Sequence, residues 1–465
     1  MMVVHCRSSK AAIPRGLTDL GTEMAVARTE RLKALLAHIR LTVGVSIVFR
    51  LWDGTTIPAD ADPGALTIAI ADENVIAALF RAPRLDTLLN LYVTKRLDLL
   101  NGTLFDLVAE RPKIRSRDVG RALDKGLVLR SLFDFVFLSR GGPWPLEAIK
   151  GHKALRDGSE TANKENVHYH YDVSNDFYAL FLDPEMVYTC AYFRDWSNDI
   201  ETAQQDKLDI ICRKLRLKAG ETLLDIGSGW GALVCHAARY YGVQAVGVTL
   251  ADEQYVFARE KVTRLGLQDR IRFELRDYTQ VQGQFDKIAS IGMFEQVGLP
   301  NHPAYFQTVH RLLKPGGLYL HHAIARPAKM TEKAFRRTNP EYAAIRRYIF
   351  PGGELDHLGM SVANLERYGF EVHDVEGWRE HYRMTLRHWH DRLLAHYDTA
   401  VETVGEVKTR LWLAYIAGCS VAFERNSVTV NQTLVSRRQR GASGLPSSRE
   451  DLYRDWPERN GAGRD

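Results

Sequence analysis

The chain has 465 residues, 45% hydrophobic and 26% charged, with a formal net charge of +5. That length holds two or three domains with full cores, and the mild basic excess suits an anionic surface but is too small to point to nucleic acid. Cys6, Cys190, Cys212, Cys235 and Cys419 show no Cys-x-x-Cys spacing, no apolar run approaches the ~20 residues of a membrane span, and residues 1–25 carry no signal-peptide core. A zinc framework, a disulfide scaffold and a membrane-spanning protein are therefore not expected, and a soluble or peripheral protein in a reducing compartment is.

Residues 23–41 have helical periodicity, 43–51 read as a strand, and Asp53-Gly54 marks a turn into a short return at Thr56-Ile57. A further strand at 66–70 and helices at 75–80 and 85–92 complete a small α+β domain ending near Val108. Residues 111–130 are charged and helical, 132–138 strongly apolar, and Ser139 to Pro145 supply two glycines and two prolines for a linker. Then aromatic and polar residues interleave from His168 to Tyr178 and from Tyr188 to Phe193. A buried aromatic cluster packed on a sheet is one reading of that segment. His168-x-His170 has no matching carboxylate or cysteine set, so no metal is expected.

The central stretch is Leu223-Leu224-Asp225-Ile226-Gly227-Ser228-Gly229-Trp230-Gly231. Two apolar residues end a strand, and alternate glycines lead into an apolar helix at 232–241. Such a strand-to-helix turn lets a ligand approach bare backbone. The spacing is neither the dinucleotide fingerprint nor a P-loop; Asp-x-Gly-x-Gly-x-Gly resembles the first motif of the class I methyltransferases, which bind S-adenosylmethionine. The second strand, 243–250, ends at Thr249 and Leu250, with Gln254 just beyond, where sugar hydroxyls would be met. The third, 270–275, ends at Asp277 and Tyr278, where a carboxylate could accept from an adenine amino group. A fourth strand, 285–293, ends in Phe294-Glu295-Gln296, and a fifth spans 318–324. Strands alternating with helices argue a parallel sheet.

His170-Tyr171-Asp172, Leu182-Asp183-Pro184, Tyr188-Thr189-Cys190-Ala191-Tyr192, the glycine loop, Gly247-Val248-Thr249-Leu250, Gly292-Met293-Phe294-Glu295 and Ile349-Phe350-Pro351-Gly352-Gly353 occur in one order. Together they resemble the cyclopropane-fatty-acyl-phospholipid synthases and the related mycolic acid cyclopropane synthases, over about residues 168–435. The resemblance implies an α/β class I methyltransferase fold, Rossmann-like with a seven-stranded mostly parallel sheet, preceded by a smaller α+β domain. The expected boundaries are a disordered 1–22, a lipid-engaging or dimerising domain at 23–138, a linker at 139–165, a catalytic domain at 166–436 and a tail at 437–465 whose charged, glycine-containing composition reads as disordered.

It also implies methyl transfer from S-adenosylmethionine to the cis double bond of phospholipid acyl chains, with bicarbonate as the base that closes the ring. By that resemblance Cys190 binds the ion mainly through its backbone, Glu295 accepts from it, His322 donates or relays a proton, Ile324 offers its amide and Tyr382 its hydroxyl. Tyr188, Thr189, Asp225, Gly227, Gly229, Trp230, Gly231, Thr249, Leu250, Gln254, Asp277 and Tyr278 would hold the cofactor. Aromatic rings at Tyr171, Phe177, Tyr188, Tyr192, Phe294 and Tyr382 are available to a developing cation. Each catalytic candidate has a structural alternative: Glu295 as a helix cap, His322 as a core histidine, Tyr382 as packing. As a set in order, the functional reading wins.

Cys419 matches a family cysteine regarded as a nucleophile, although alkene methylation needs none, and a small buried helix residue is the other reading. Gln296 stands where members commonly carry His, which bears on ring closure. The rival product is a methyl- or methylene-branched chain, and the rival class is a non-catalytic lipid-binding protein. The basic stretch 326–348 reads either as a headgroup contact or as a solvated helix face. A phospholipid bilayer surface as partner, cytoplasmic placement at the inner face of the membrane, no nucleic acid and a possible homodimer complete the expectations.

Overall fold

The computed structural model describes residues 15–110, 114, 116–148, 173–337, 340–349 and 353–454, which divide into two compact units at Pro145/Leu146. In the amino-terminal unit a long helix, Arg15–Val43, accompanies a four-stranded sheet. Its strands are β1 (Val48–Arg50), β2 (Thr56–Ile57), β3 (Thr67–Ile70) and β4 (Leu97–Leu100), in the order β2-β1-β3-β4. The Asp53 carboxylate accepts from the Thr55 amide at 2.9 Å and from its hydroxyl at 2.6 Å, closing the β1–β2 turn and setting Phe49 opposite Ile57. Leu32, Leu36, Leu51, Ile70, Val75 and Phe135 fill the core.

Three readings of this unit change. The first strand begins at Val48 and not at 43, since the helix runs on to Val43. The helix backbone also starts at Arg15, before the expected boundary at residue 23. Strand β4 was missed: Asp98 interrupts its apolar run, and all four of its residues are only half-buried.

The second unit carries β5 (Thr222–Ile226), β6 (Gln244–Thr249), β7 (Ile271–Leu275), β8 (Phe285–Ile291), β9 (Leu313–Ala325), β10 (Phe370–Gly377) and β11 (Thr429–Arg437). Their order is β10-β11-β9-β8-β5-β6-β7, with the run from β9 to β7 parallel and β11 antiparallel to both of its neighbours. This is the seven-stranded, mostly parallel class I arrangement. Side chains alternate across it: Leu223 joins Leu208, Ile211 and Val234 on one face, and Leu224 joins Ile288, Phe306 and Val309 on the other. Both faces are covered, so consecutive residues of β5 and β8 are buried rather than every second one. Truncating Leu224 to alanine would cost about 2–5 kcal/mol.

After β10 the chain forms two helices, Arg379–Ala395 and Tyr397–Val404, meeting at His396. The tail also differs from its composition-based reading. Residues 438–454 lie on the catalytic unit, where Leu452 is buried and Arg213 donates to the carbonyls of Leu452 and Arg454 at 3.4 and 2.8 Å. One apolar anchor and one half-buried guanidinium outweigh the charged composition around them. Among the described residues, no helix is long and apolar enough to cross a membrane.

Candidate active site

A cavity of about 220 Å³ opens at the carboxyl ends of β5, β6 and β8, where the parallel strands give way to loops. The glycines of the loop after β5 serve three different ends. Gly227, at φ +79°, faces Met293, and a Cβ there would come within 2.8 Å of that side chain. Gly229, at φ +54°, would meet nothing, so its role is the left-handed turn itself. Gly231 caps the helix Ala232–Tyr241, and a Cβ there would come within 2.6 Å of the Phe273 ring. Every residue assigned to the cofactor from sequence lines this cavity except Gly231, which is a packing glycine.

The polar groups around the cavity are already ordered by one another. The Thr249 hydroxyl donates to Gln254 Oε1 at 3.0 Å and accepts from the Ala251 amide at 3.2 Å. Asp277 Oδ1 accepts from the amide and hydroxyl of Thr279 at 2.9 and 2.7 Å, holding its carboxylate at the end of β7. The Trp230 indole donates to Asn175 Oδ1 at 2.7 Å, tying the short helix Asn175–Ala179 to the glycine loop. Asp225, beneath the loop, is buried, and burial pushes its carboxyl up to about 7 against the pull of Lys207.

A strap of chain leads over this cavity. The Asp183 carboxylate accepts from the amides of Glu185 and Val187, both at 2.9 Å, and folds the chain back so that Tyr188 and Thr189 reach the cavity wall. From the helix Ile200–Lys214, Gln204 donates to the carbonyl of Thr189 at 2.9 Å and Lys207 to its hydroxyl at 2.7 Å. Burial brings the Lys207 ammonium down to about 8. Gly292 has no Cβ because the Thr189 methyl lies 2.8 Å from its place.

None of the six catalytic candidates lines that cavity; Cys190, Ile324, Tyr382 and Cys419 belong to or pack against one buried aromatic cluster, and Glu295 bonds to Ile324. Cys190 is fully buried, its thiol donating weakly to the carbonyls of Ala191 and Trp378 at 3.3 and 3.9 Å, and burial holds that thiol well above its usual range. Glu295 Oε1 accepts from the Ile324 amide at 2.6 Å, while Oε2 is buried with no partner among the described residues. Burial pushes this carboxyl up to about 7, and the Ile324 amide pulls the other way. His322 is buried beside Trp378, with Nε2 unpartnered among the described residues. Burial first, then the Lys207 and Lys214 charges, hold its imidazole far below the usual histidine range and therefore neutral.

The Tyr382 hydroxyl is raised by burial and by the nearby Tyr188, Cys190, Glu295 and Cys419, which places these groups within electrostatic reach of each other. Cys419 is only partly exposed, with its thiol pushed up to about 12 by burial.

Phe177, Tyr188, Tyr192 and Tyr382 belong to one aromatic cluster with Trp378, Trp389 and Trp412. Phe294 does not. It turns to the other face of the sheet, against Tyr305, Phe306 and His321, because the short turn Phe294–Gln296 sends Phe294 and Glu295 to different sides. Gln296 lines the cofactor cavity. His168, His170, Tyr171 and Asp172 lie outside the described residues, and no cluster of metal-ligating side chains occurs among the described ones.

Sequence reading missed Gln204 and Lys207. Its available signal was polar residues in the pattern of a buried helix face, since Ala203, Lys207, Ile211 and Lys214 recur at helical spacing and all are buried.

The chain matches the family described as mycolic acid cyclopropane synthetase over residues 158–433. It is 37% identical over 409 residues to a probable fatty acid methyltransferase of Pseudomonas putida, covering 87% of this chain and 95% of the relative. That stretch exceeds the catalytic unit, so it takes in part of the amino-terminal unit. Against the cyclopropane-fatty-acyl-phospholipid synthase of Escherichia coli K12 it is 38% identical over 268 residues, 58% of this chain and 66% of that one. The structure of the mycolic acid cyclopropane synthase CmaA1 complexed with SAH and CTAB superposes with a TM-score of 0.55 at 34% identity, covering 59% of this chain and 98% of CmaA1. A fold, a cavity at the strand ends and a family match of this extent lead to one assignment: the chain belongs to the mycolic acid cyclopropane synthetase family and, with it, to the S-adenosylmethionine-dependent methyltransferases.

Proposed function

We propose that the protein methylates the cis double bond of unsaturated acyl chains in membrane phospholipids and closes the product to a cyclopropane, with bicarbonate as the base. The observation that carries this reading is the pair of unpartnered, buried polar atoms, Glu295 Oε2 and His322 Nε2. Buried polar atoms without partners are costly, and in a native site they mark where a ligand completes the bonding. One acceptor and one donor, with the Tyr382 hydroxyl in electrostatic reach, fit an anion that both donates and accepts, and bicarbonate does both. Bound there, it supplies an acceptor for the proton lost on ring closure.

The chain's own residues do the rest. The loop from Gly227 to Gly231 and the Thr249, Gln254 and Asp277 groups orient the sulfonium donor, which converts a slow bimolecular attack into a positioned one. The alkene π electrons form the new bond to the methyl carbon as the carbon–sulfur bond breaks onto sulfur. The resulting carbocation sits among the faces of Tyr188, Tyr192 and Tyr382, which stabilise charge without trapping it. Loss of a methyl proton then leaves its electron pair to close the ring. A thiolate has no part in this, and the raised Cys419 thiol agrees.

Gln296 belongs to the cofactor cavity rather than to the Glu295 pocket, which favours ring closure over branching. Exposed Lys329, Met330, Lys333, Arg336 and Arg337 suit contact with an anionic bilayer at the inner face of the membrane. By contrast Arg326 is turned inward over the rings of Phe335 and Tyr342.

The test is mass spectrometry of acyl chains after incubation with unsaturated phospholipid vesicles, deuteriomethyl S-adenosylmethionine and bicarbonate. Two retained deuteriums and no double bond establish cyclopropanation. A surviving double bond means a branched product, and no labelled lipid beside an active control enzyme overturns the substrate class.

A further inference from the structure

Behind His322 lies a second row of buried polar groups that the reaction does not touch. Gln432 stands directly opposite His322 on the neighbouring strand, and both are 1% exposed. Gln432 Nε2 lies 3.1 Å from His322 Nδ1, and Gln432 Oε1 accepts from Lys214 Nζ at 2.7 Å. Lys214 is itself 1% exposed, ion-paired with Glu376 and seated 5.1 Å from the centre of the Trp378 ring. Trp378 in turn meets the His322 ring edge-on at 5.5 Å.

An ammonium has three donors and no acceptor, so the amide atom facing Lys214 has to be the oxygen. The amide nitrogen then faces His322 and donates to Nδ1, and an imidazole nitrogen that accepts carries no proton. We propose that Lys214 and Gln432 are positioning residues that fix His322 as the tautomer protonated on Nε2, a standing donor and not a proton relay. A relay needs Nδ1 to take up a proton while Nε2 gives one away, and here Nδ1 faces an N–H backed by a cation. The orientation of one amide thereby decides which way a hydrogen bond runs two groups further on. The inference rests on the proposed anion site only for its catalytic consequence; the tautomer stands by itself.

The wild-type enzyme labelled with nitrogen-15 histidine tests it directly, by long-range proton–nitrogen correlation with His322 assigned through His322→Gln. The expected spectrum shows an unprotonated Nδ1 and a protonated Nε2. In Gln432→Glu the carboxylate can only accept, so the proton moves to Nδ1. That variant should lose roughly 100-fold in kcat, the size of effect seen when one preorganised donor is removed, with KM for S-adenosylmethionine changed less than about threefold. Lys214→Met should give a mixture of tautomers and a smaller loss.

A wild-type proton on Nδ1, or a Gln432→Glu enzyme that loses activity with the proton still on Nε2, overturns the proposal. The wild-type spectrum needs no variant to fold. Activity independent of bicarbonate would overturn the anion reading and leave the tautomer result untouched.

Discussion

The strand-end cavity and the surroundings of Glu295 and His322 are built on opposite principles. In the cavity the described polar side chains are tied to their neighbours: Thr249 to Gln254, Asp277 to Thr279, Lys207 to Thr189. Recognition there depends on bare backbone and fixed shape. In the pocket the polar atoms are buried and left open, Glu295 Oε2 and His322 Nε2 above all. On the proposed function, the contrast separates a binding site from a site where charge moves.

The sharpest way to break this contrast is Glu295→Gln. It should lower turnover about 1,000-fold, the upper range for removing one preorganised group, while S-adenosylhomocysteine binding measured by calorimetry stays within about twofold. Stability should move in the opposite direction. Folding raises this carboxyl from 4.5 to about 7, so the folded protein holds the proton more tightly, and stability falls as pH rises through that window. Glutamine keeps the bond to the Ile324 amide and removes the charge. Urea unfolding should therefore show the variant more stable by up to about 3 kcal/mol near pH 8, a difference that vanishes below the unfolded pKa. On the proposed function ionised Glu295 is the active form, so wild-type turnover should fall as pH drops below about 7. An unstabilised, fully active variant would remove the distinction between the two places.

A change in the cavity should do the reverse. Gly227→Ala forces a Cβ into Met293 at a left-handed φ and should cost about 1–3 kcal/mol of stability and roughly tenfold or more in S-adenosylhomocysteine affinity. Saturating cofactor should restore most of kcat. Gln296→His comes next in size: because Gln296 lines the cavity, KM for S-adenosylmethionine should shift by no more than about threefold, with ring closure unchanged in the acyl-chain mass spectrum. Smallest is Cys419→Ser, for which turnover should stay within about twofold, since the buried thiol supplies no nucleophile. A loss of 100-fold or more would restore a covalent role.

The two places also differed in how far the residues alone could reveal them. Alternate glycines after an apolar strand are a local pattern with a local cause, so the loop and its neighbours at Thr249 and Asp277 could be read directly. The pocket gathers Cys190, Glu295, His322 and Tyr382 from positions up to 192 residues apart, and only resemblance to a known order brought them together. Even then side-chain direction escaped. Phe294 was grouped with the cation-facing rings, but a one-residue step around a tight turn sends it to the other face. Lys207 and Lys214 were invisible because a lysine on a helix is usually solvated, and only tertiary packing shows both to be buried. Strand β4 and the packed tail show the same limit, where a few long-range contacts overrule composition.

Tyr188-Thr189-Cys190 gives the strap a meaning as a ruler. Its first two residues wall the cavity and its third is fully buried in the aromatic cluster beside it. Two virtual bonds of 3.8 Å each allow at most ~7 Å between the first and third Cα positions. The separation of the two places is thus written into covalent geometry, which thermal motion hardly alters, and not into packing, which breathes. On the proposed function, inserting or deleting a single residue here would uncouple the two places, giving an enzyme that still binds its donor but no longer holds it in step with the base.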